Sequence, residues 1–176
     1  MSNGVSFFRF VHDDDDDVRE CNTIRFVPNN ACIRNVHSIS PLPNTPPHSS
    51  FALAEIQRFK IEKGLDIQAA VASRTDEPGW AATCMQKLAL PMDGKTTLAD
   101  CFGRFISIHS DYDKRHHFRE LHEMSGVPYE AMCFFDNEIG NIRSVSKLGV
   151  TCIYTPNGMT REAWEEALRL HGMEEE

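Results

Sequence analysis

From Phe51 onward the chain alternates between two apolar rhythms. Phe51, Leu53, Ala54, Ile56 and Phe59 recur at helical spacing, and Gly64 follows where a helix would stop, so this stretch predicts an amphipathic helix. Residues 66 to 72 then read as a strand, Trp80 to Leu90 as a helix and Phe102 to Ile108 as a second strand. A helix from Lys114 to Met124 is closed by Gly126 and Pro128. The run Ala131 to Phe135 is too short for a helix and has no polar face, which predicts a strand buried on both sides. A helix from Ile139 to Leu148, a strand from Val150 to Tyr154 and a last helix from Arg161 to Leu170, opened by Thr160, complete the series.

Strands and helices in alternation predict βαβ units, hence an α/β fold with a doubly wound, Rossmann-like parallel sheet flanked by helices. The first third is different. Residues 1 to 50 hold the acidic run Asp13 to Asp17 and several Pro, Asn and Ser clusters that break helix and strand alike, and so predict an irregular segment. One apolar run, Val5 to Val11, could supply a strand to the domain of residues 51 to 176.

Composition narrows the function. A length of 176 residues fits one ordinary domain, and 41% hydrophobic with 25% charged residues is ordinary for a globular protein. The net charge of -8, without a Lys/Arg stripe, argues against nucleic acid as a partner. No apolar run is long enough to span a membrane, so no membrane partner is expected and the compartment expected is cytoplasmic. The six cysteines contain no CxxC pair, so neither a disulfide framework nor a zinc site is expected. GxxxxGK and GxGxxG loops are absent, which sets aside nucleotide-driven switches.

In a doubly wound sheet, ligands bind beyond the carboxyl ends of the strands. Three of those ends are chemically loaded. Ser73-Arg74-Thr75 offers hydroxyls and a guanidinium that suit an anion, or a set of helix caps. Lys114 opens its helix at the end where cations are disfavoured, so it is either a surface lysine or one compensated by a nearby carboxylate or anion. Asp136-Asn137-Glu138 follows the buried strand and offers either a cap or the hard oxygen ligands that magnesium takes. His116, His117 and His122 are read as solvated, because no acid or cysteine pattern completes a ligand set around them.

Taken in order, Ala72-Ser73-Arg74-Thr75, Lys114 with His117-Phe118, Gly126-Val127-Pro128, Phe134 to Glu138, Asn141-Ile142 and Leu148 to Thr151 resemble the magnesium-dependent phosphatase (acid phosphatase) branch of the haloacid dehalogenase (HAD) superfamily. The resemblance runs from about Phe51 to Leu170 and implies an HAD-like fold. It implies hydrolysis of phosphate monoesters, with phosphotyrosine or sugar phosphate as substrate, through an aspartyl-phosphate intermediate. Ser73 and Arg74 would bind the phosphate, Lys114 would neutralise its charge, and Asp136 with Asn137 would help to hold Mg2+. Asn137 stands where that branch normally has a second aspartate.

The first motif of such enzymes, Asp-x-Asp-x-Thr/Val, is matched only by the run Asp14 to Val18. On that match Asp14 would be the nucleophile and Asp16 the acid/base, both also binding the metal. Asp14 precedes Ser73 by 59 positions, about the separation the family uses. Against this, Arg9 would be a charge in the middle of a buried strand, and adjacent carboxylates favour a solvated loop. Two functions follow as expectations: a phosphatase acting on a phosphorylated small molecule or phosphoprotein, or a catalytically inactive relative that binds such ligands or a protein partner.

Overall fold

The computed structural model describes residues 3–9, 47–89, 94–111 and 113–173, with backbone alone for 3–9 and 47–50. Its strands are β1 (Asn3–Arg9), β2 (Ile67–Arg74), β3 (Ile106–His109), β4 (Met132–Asp136) and β5 (Thr151–Tyr154). The helices are α1 (Pro47–Glu62), α2 (Pro78–Lys87), α3 (Leu98–Phe102), α4 (Lys114–Ser125), α5 (Ile139–Val145) and α6 (Arg161–Leu170). Single 3-10 turns precede β4 and follow α5.

The strands form one sheet in the order β3-β2-β1-β4-β5. β3 runs parallel to β2 and β5 parallel to β4. Both faces are covered, as expected of a doubly wound domain. Ala52, Leu53, Ile56 and Phe59 of α1 pack with Ile67, Ala69 and Val71 of β2, and with Met85, Phe102 and Trp164, on one side. Phe118 and Leu121 of α4 pack with Ala70, Ala72, Met132 and Phe134 on the other. All five residues of β4 are buried, which accounts for its unbroken apolar run.

The N-terminal strand departs from expectation in direction. The sheet has a strand in the slot between β2 and β4, but β1 is antiparallel to both, with Asn3 opposite Ser73, Arg9 opposite Ile67 and Val5 opposite Phe135. It spans Asn3–Arg9, two residues earlier than the apolar run suggested. The edge of the sheet beyond Ser73 and Asp136 therefore lies beside the start of β1, and β1 ends at the opposite edge.

A second correction concerns residues 102 to 105, expected as strand. Thr97 and Asp100 form a capping box, in which each side chain accepts a hydrogen bond from the other residue's backbone N–H, and this starts α3. Gly103 ends that helix at a φ of 54°, so β3 begins only at Ile106. Gly126 likewise ends α4 in the left-handed region, at a φ of 72°.

Candidate active site

β2, β4 and α4 bring Arg74, Lys114, Asp136 and Glu138 to one edge of the sheet. Lys114 is the first residue of α4, and its side chain has no solvent exposure. Its ammonium donates to the carbonyl of Ala72 and stands 3.8 Å from Asp136 Oδ2 and 5.9 Å from the Phe134 ring centroid. The reading of Lys114 as a surface lysine is thereby overturned. Its unfavourable place at a helix start is compensated by the carboxylate of Asp136.

Asp113 makes that helix start possible. Its Oδ1 accepts from the backbone N–H of Arg115 at 3.0 Å and from Ser144 Oγ at 2.8 Å, tying α4 to α5. The Arg115 guanidinium, donating through Nε to Oδ2 at 2.7 Å, holds the Asp113 carboxyl well below the usual carboxylate range.

Asp136 ends β4 and is nearly without exposure. Its Oδ1 accepts from the backbone N–H of Glu138 at 2.6 Å, and its Oδ2 from Asn141 Nδ2 at 3.0 Å. Burial nevertheless raises its pKa, against the pull of Lys114 and these donors. Burial likewise lowers Lys114 to about 8, with Asp136 opposing that shift and Arg74 adding to it. Both partners thus bear the cost of leaving water.

Asn137 answers the question of caps. The N-cap of α5 is Glu138 and makes no side-chain capping bond. The amide oxygen of Asn137 is buried and has no hydrogen-bond partner. A dry carbonyl oxygen without a donor costs free energy, and in the residue that follows Asp136 in the chain it fits a hard divalent cation as the missing partner.

Ser73 and Arg74 end β2. Strand alternation places Ser73, which is buried, with Ala69 and Val71 on the α1 side, whereas Arg74 shares the side of Ala72. Arg74 Nη2 donates to Glu138 Oε2 at 3.1 Å, a pair that joins the ends of β2 and β4. Neither Ser73 nor Thr75 is the N-cap of α2, which is Glu77 without a side-chain capping bond. Thr75 Oγ1 accepts from the Glu77 backbone N–H at 3.1 Å.

The described charges nearly balance, Arg74 and Lys114 against Glu138 and Asp136. A phosphate dianion entering here would need further positive charge, and the oxygens of Asp136 and Asn137 are the donors able to hold it. Asp14 and Asp16 lie outside the described residues.

A model of the acid phosphatase family matches residues 45–173. The chain belongs to the acid phosphatase family. The match begins downstream of the acidic run. Among similar proteins, human "Magnesium-dependent phosphatase 1" is 34% identical over 114 residues, covering 62% of this chain and 57% of that protein. A "HAD-like hydrolase superfamily protein" of Schizosaccharomyces pombe is 38% identical over 96 residues, 54% of this chain and 53% of that protein. The chain thus spans about half the length of the curated relatives it matches.

Within this acid phosphatase domain two residues that the sequence offered only as parts of motifs act as polar partners. Glu138, noted only as part of a motif, is the counter-charge of Arg74, and Asn141 orients Asp136. The i, i+5 interval from Asp136 to Asn141 is neither a helical nor a strand spacing. The chain turn after β4, not a periodicity, brings the two together.

Proposed function

We propose that this chain is a magnesium-dependent phosphatase that hydrolyses phosphate monoesters, phosphotyrosine or sugar phosphates, in small molecules or phosphoproteins. The observation that carries this reading is the buried ammonium of Lys114 set between Ala72 O and Asp136, together with the unpartnered oxygen of Asn137, the residue that follows β4. Lys114 would neutralise a phosphate oxygen, and Ser73 and Arg74 would orient the group. Asp136 and Asn137 would hold Mg2+, which when bound offsets the charge of the transferring phosphoryl group. Asp14 would attack phosphorus to form an aspartyl-phosphate, with Asp16 as acid/base and both also meeting the metal.

The direction of β1 favours a second reading, a phosphate-binding relative without turnover. Arg9 lies level with Ile67, six residues along β2 from Ser73, or roughly 20 Å. Five residues from Arg9 to Asp14 extend at most about 17 Å. Attack by Asp14 at the Ser73 edge therefore uses nearly the whole reach of chain and side chain together, and the pairing of β1 weighs against it.

Hydrolysis of para-nitrophenyl phosphate by the purified full chain with Mg2+ tests both. Turnover that falls at least tenfold in Asp14→Asn and in Lys114→Met supports the enzyme. Phosphate binding without turnover at any divalent metal overturns it in favour of the binding relative.

A further inference from the structure

Beside the candidate active site, about one helical turn along α4 from Lys114, three ligand-type side chains gather around one hydroxyl. His109 is the last residue of β3 and pairs across from Arg74. His117 and Glu120 lie three residues apart on α4 and so share a helix face. Ser107 Oγ, at the centre, donates to Glu120 Oε2 at 2.5 Å and lies 2.8 Å from His117 Nδ1 and 3.3 Å from His109 Nε2. A ring nitrogen of each histidine and a carboxylate oxygen of Glu120 all lie within 4.8 Å of one another.

Hydrogen bonding does not account for the whole cluster. His117, expected on a solvated helix face, instead has no solvent exposure, and its Nε2 is buried without a hydrogen-bond partner. Its Nδ1 lies 3.2 Å from the carbonyl of Ser107. With Nδ1–H donating there, Nε2 carries a lone pair in a dry site. A metal-bound histidine has this arrangement, one ring N–H held by a backbone carbonyl and the other nitrogen left for the ion. Because Nδ1 is the nitrogen that borders Ser107 Oγ, His109 and Glu120 have to swing past that hydroxyl to share an ion with Nε2. Burial and the neighbouring Lys114 and His109 lower the His117 pKa to about 3, so it is a neutral imidazole at any physiological pH.

We propose that His109, His117 and Glu120 form a second cation site, for a transition-metal ion of borderline softness such as Zn2+, separate from the oxygen-donor site at Asp136 and Asn137. The donor set decides the metal. Two imidazoles and one carboxylate suit zinc, whereas magnesium prefers oxygen ligands and keeps its waters. Three protein ligands leave a fourth tetrahedral position for water or a small anion.

His109 Nε2 and Glu120 Oε2 are already 3.3 Å apart, close to the spacing of tetrahedral ligands at about 2.0–2.1 Å from zinc. The two rings are stacked, 3.7 Å between centroids and 10° between planes, so their in-plane lone pairs do not yet meet. The side chains of His109 and Glu120 are 32% and 49% exposed, and these two turn onto the ion while His117 stays fixed. Binding thus separates the ring stack one helical turn from Lys114.

The test is titration of the metal-stripped full chain with Zn2+ against a chromophoric chelator, in excess Mg2+. One equivalent should bind, and His109→Ala and Glu120→Gln, both at partly exposed positions, should each weaken it at least tenfold. Cys84→Ser should not. With Co2+ in place of zinc, the spectrum should show ligand-field bands without thiolate charge transfer. Binding unchanged in both cluster variants, a thiolate signature, or no zinc held at one equivalent would overturn the proposal.

Discussion

Lys114 Nζ and Asp136 Oδ2 face each other at 3.8 Å, and neither side chain has any solvent exposure. Taking two charges out of water costs several kcal/mol per ion, and the pair survives because each partner, together with Ala72 O, Asn141 and the Glu138 N–H, serves the other. Such a pair is a poor way to gain stability. Its value lies in holding an ammonium at a sheet edge where it can meet an anion.

Removing one partner should therefore be harsh. Lys114→Met leaves a buried carboxylate without its cation and should cost about 3–5 kcal/mol in urea unfolding at neutral pH. Lys114→Met with Asp136→Asn should recover most of that loss. Additive single losses in the double variant would show that the two do not interact.

The same pair fixes a pH dependence. The folded-state pKa of Lys114 is about 8, below its ordinary 10.5. Between these values the unfolded chain holds a proton that the folded one has released, so raising the pH across this window stabilises the fold. Below about pH 8 both states are charged and the contribution is flat. Asp136 has the opposite sign: its raised pKa makes the folded state bind the extra proton, and stability falls as pH rises from 3.8 through that interval. Phosphate binding, which needs the charged ammonium, should decline above about pH 8, and the stability slope there should vanish in Lys114→Met.

Mg2+ should raise the melting temperature of the full chain. At a concentration 100-fold above its Kd the gain is about 2.7 kcal/mol. Asn137→Asp should shift the midpoint of that effect to lower Mg2+ by supplying a second carboxylate, and Asp136→Asn should abolish it. An unchanged midpoint in both variants would remove Asp136 and Asn137 from the metal site.

Asp113 caps α4 and ties it to Ser144. Asp113→Ala should cost about 1 kcal/mol of unfolding free energy. Because its folded pKa is depressed below 3.8, its contribution is complete above that value and is lost as pH falls beneath it. The variant should therefore match the wild type more closely in acid than at pH 7 in denaturant midpoints.

The alternation of helix and strand, the buried β4 and the loaded strand ends were all legible in the sequence, because each rests on local periodicity or on residues adjacent in the chain. The direction of β1 was not. An apolar run has no arrow, and Val5 to Phe8 reads alike whichever way it enters the sheet. The burial of Lys114 was hidden for another reason, since its counter-charge, Asp136, lies at the end of a different strand. The capping box of Thr97 and Asp100 is legible in the sequence, and with Gly103 it keeps residues 102 to 105 out of β3. The sequence carries no signal of the contact between His109 and Glu120, because they become neighbours only when β3 packs on α4.

Since β1 separates β2 from β4, the sheet consists of two parallel leaves with a single reversed spacer between them. Two strand widths set Ser73 and Asp136 roughly 10 Å apart along the hydrogen-bonding direction. No short side chain bridges that gap, and the long stem of Lys114, in contact with Ala72 on one leaf and Asp136 on the other, does. The aperture presented to a ligand is thus gauged by the seven-residue strand β1.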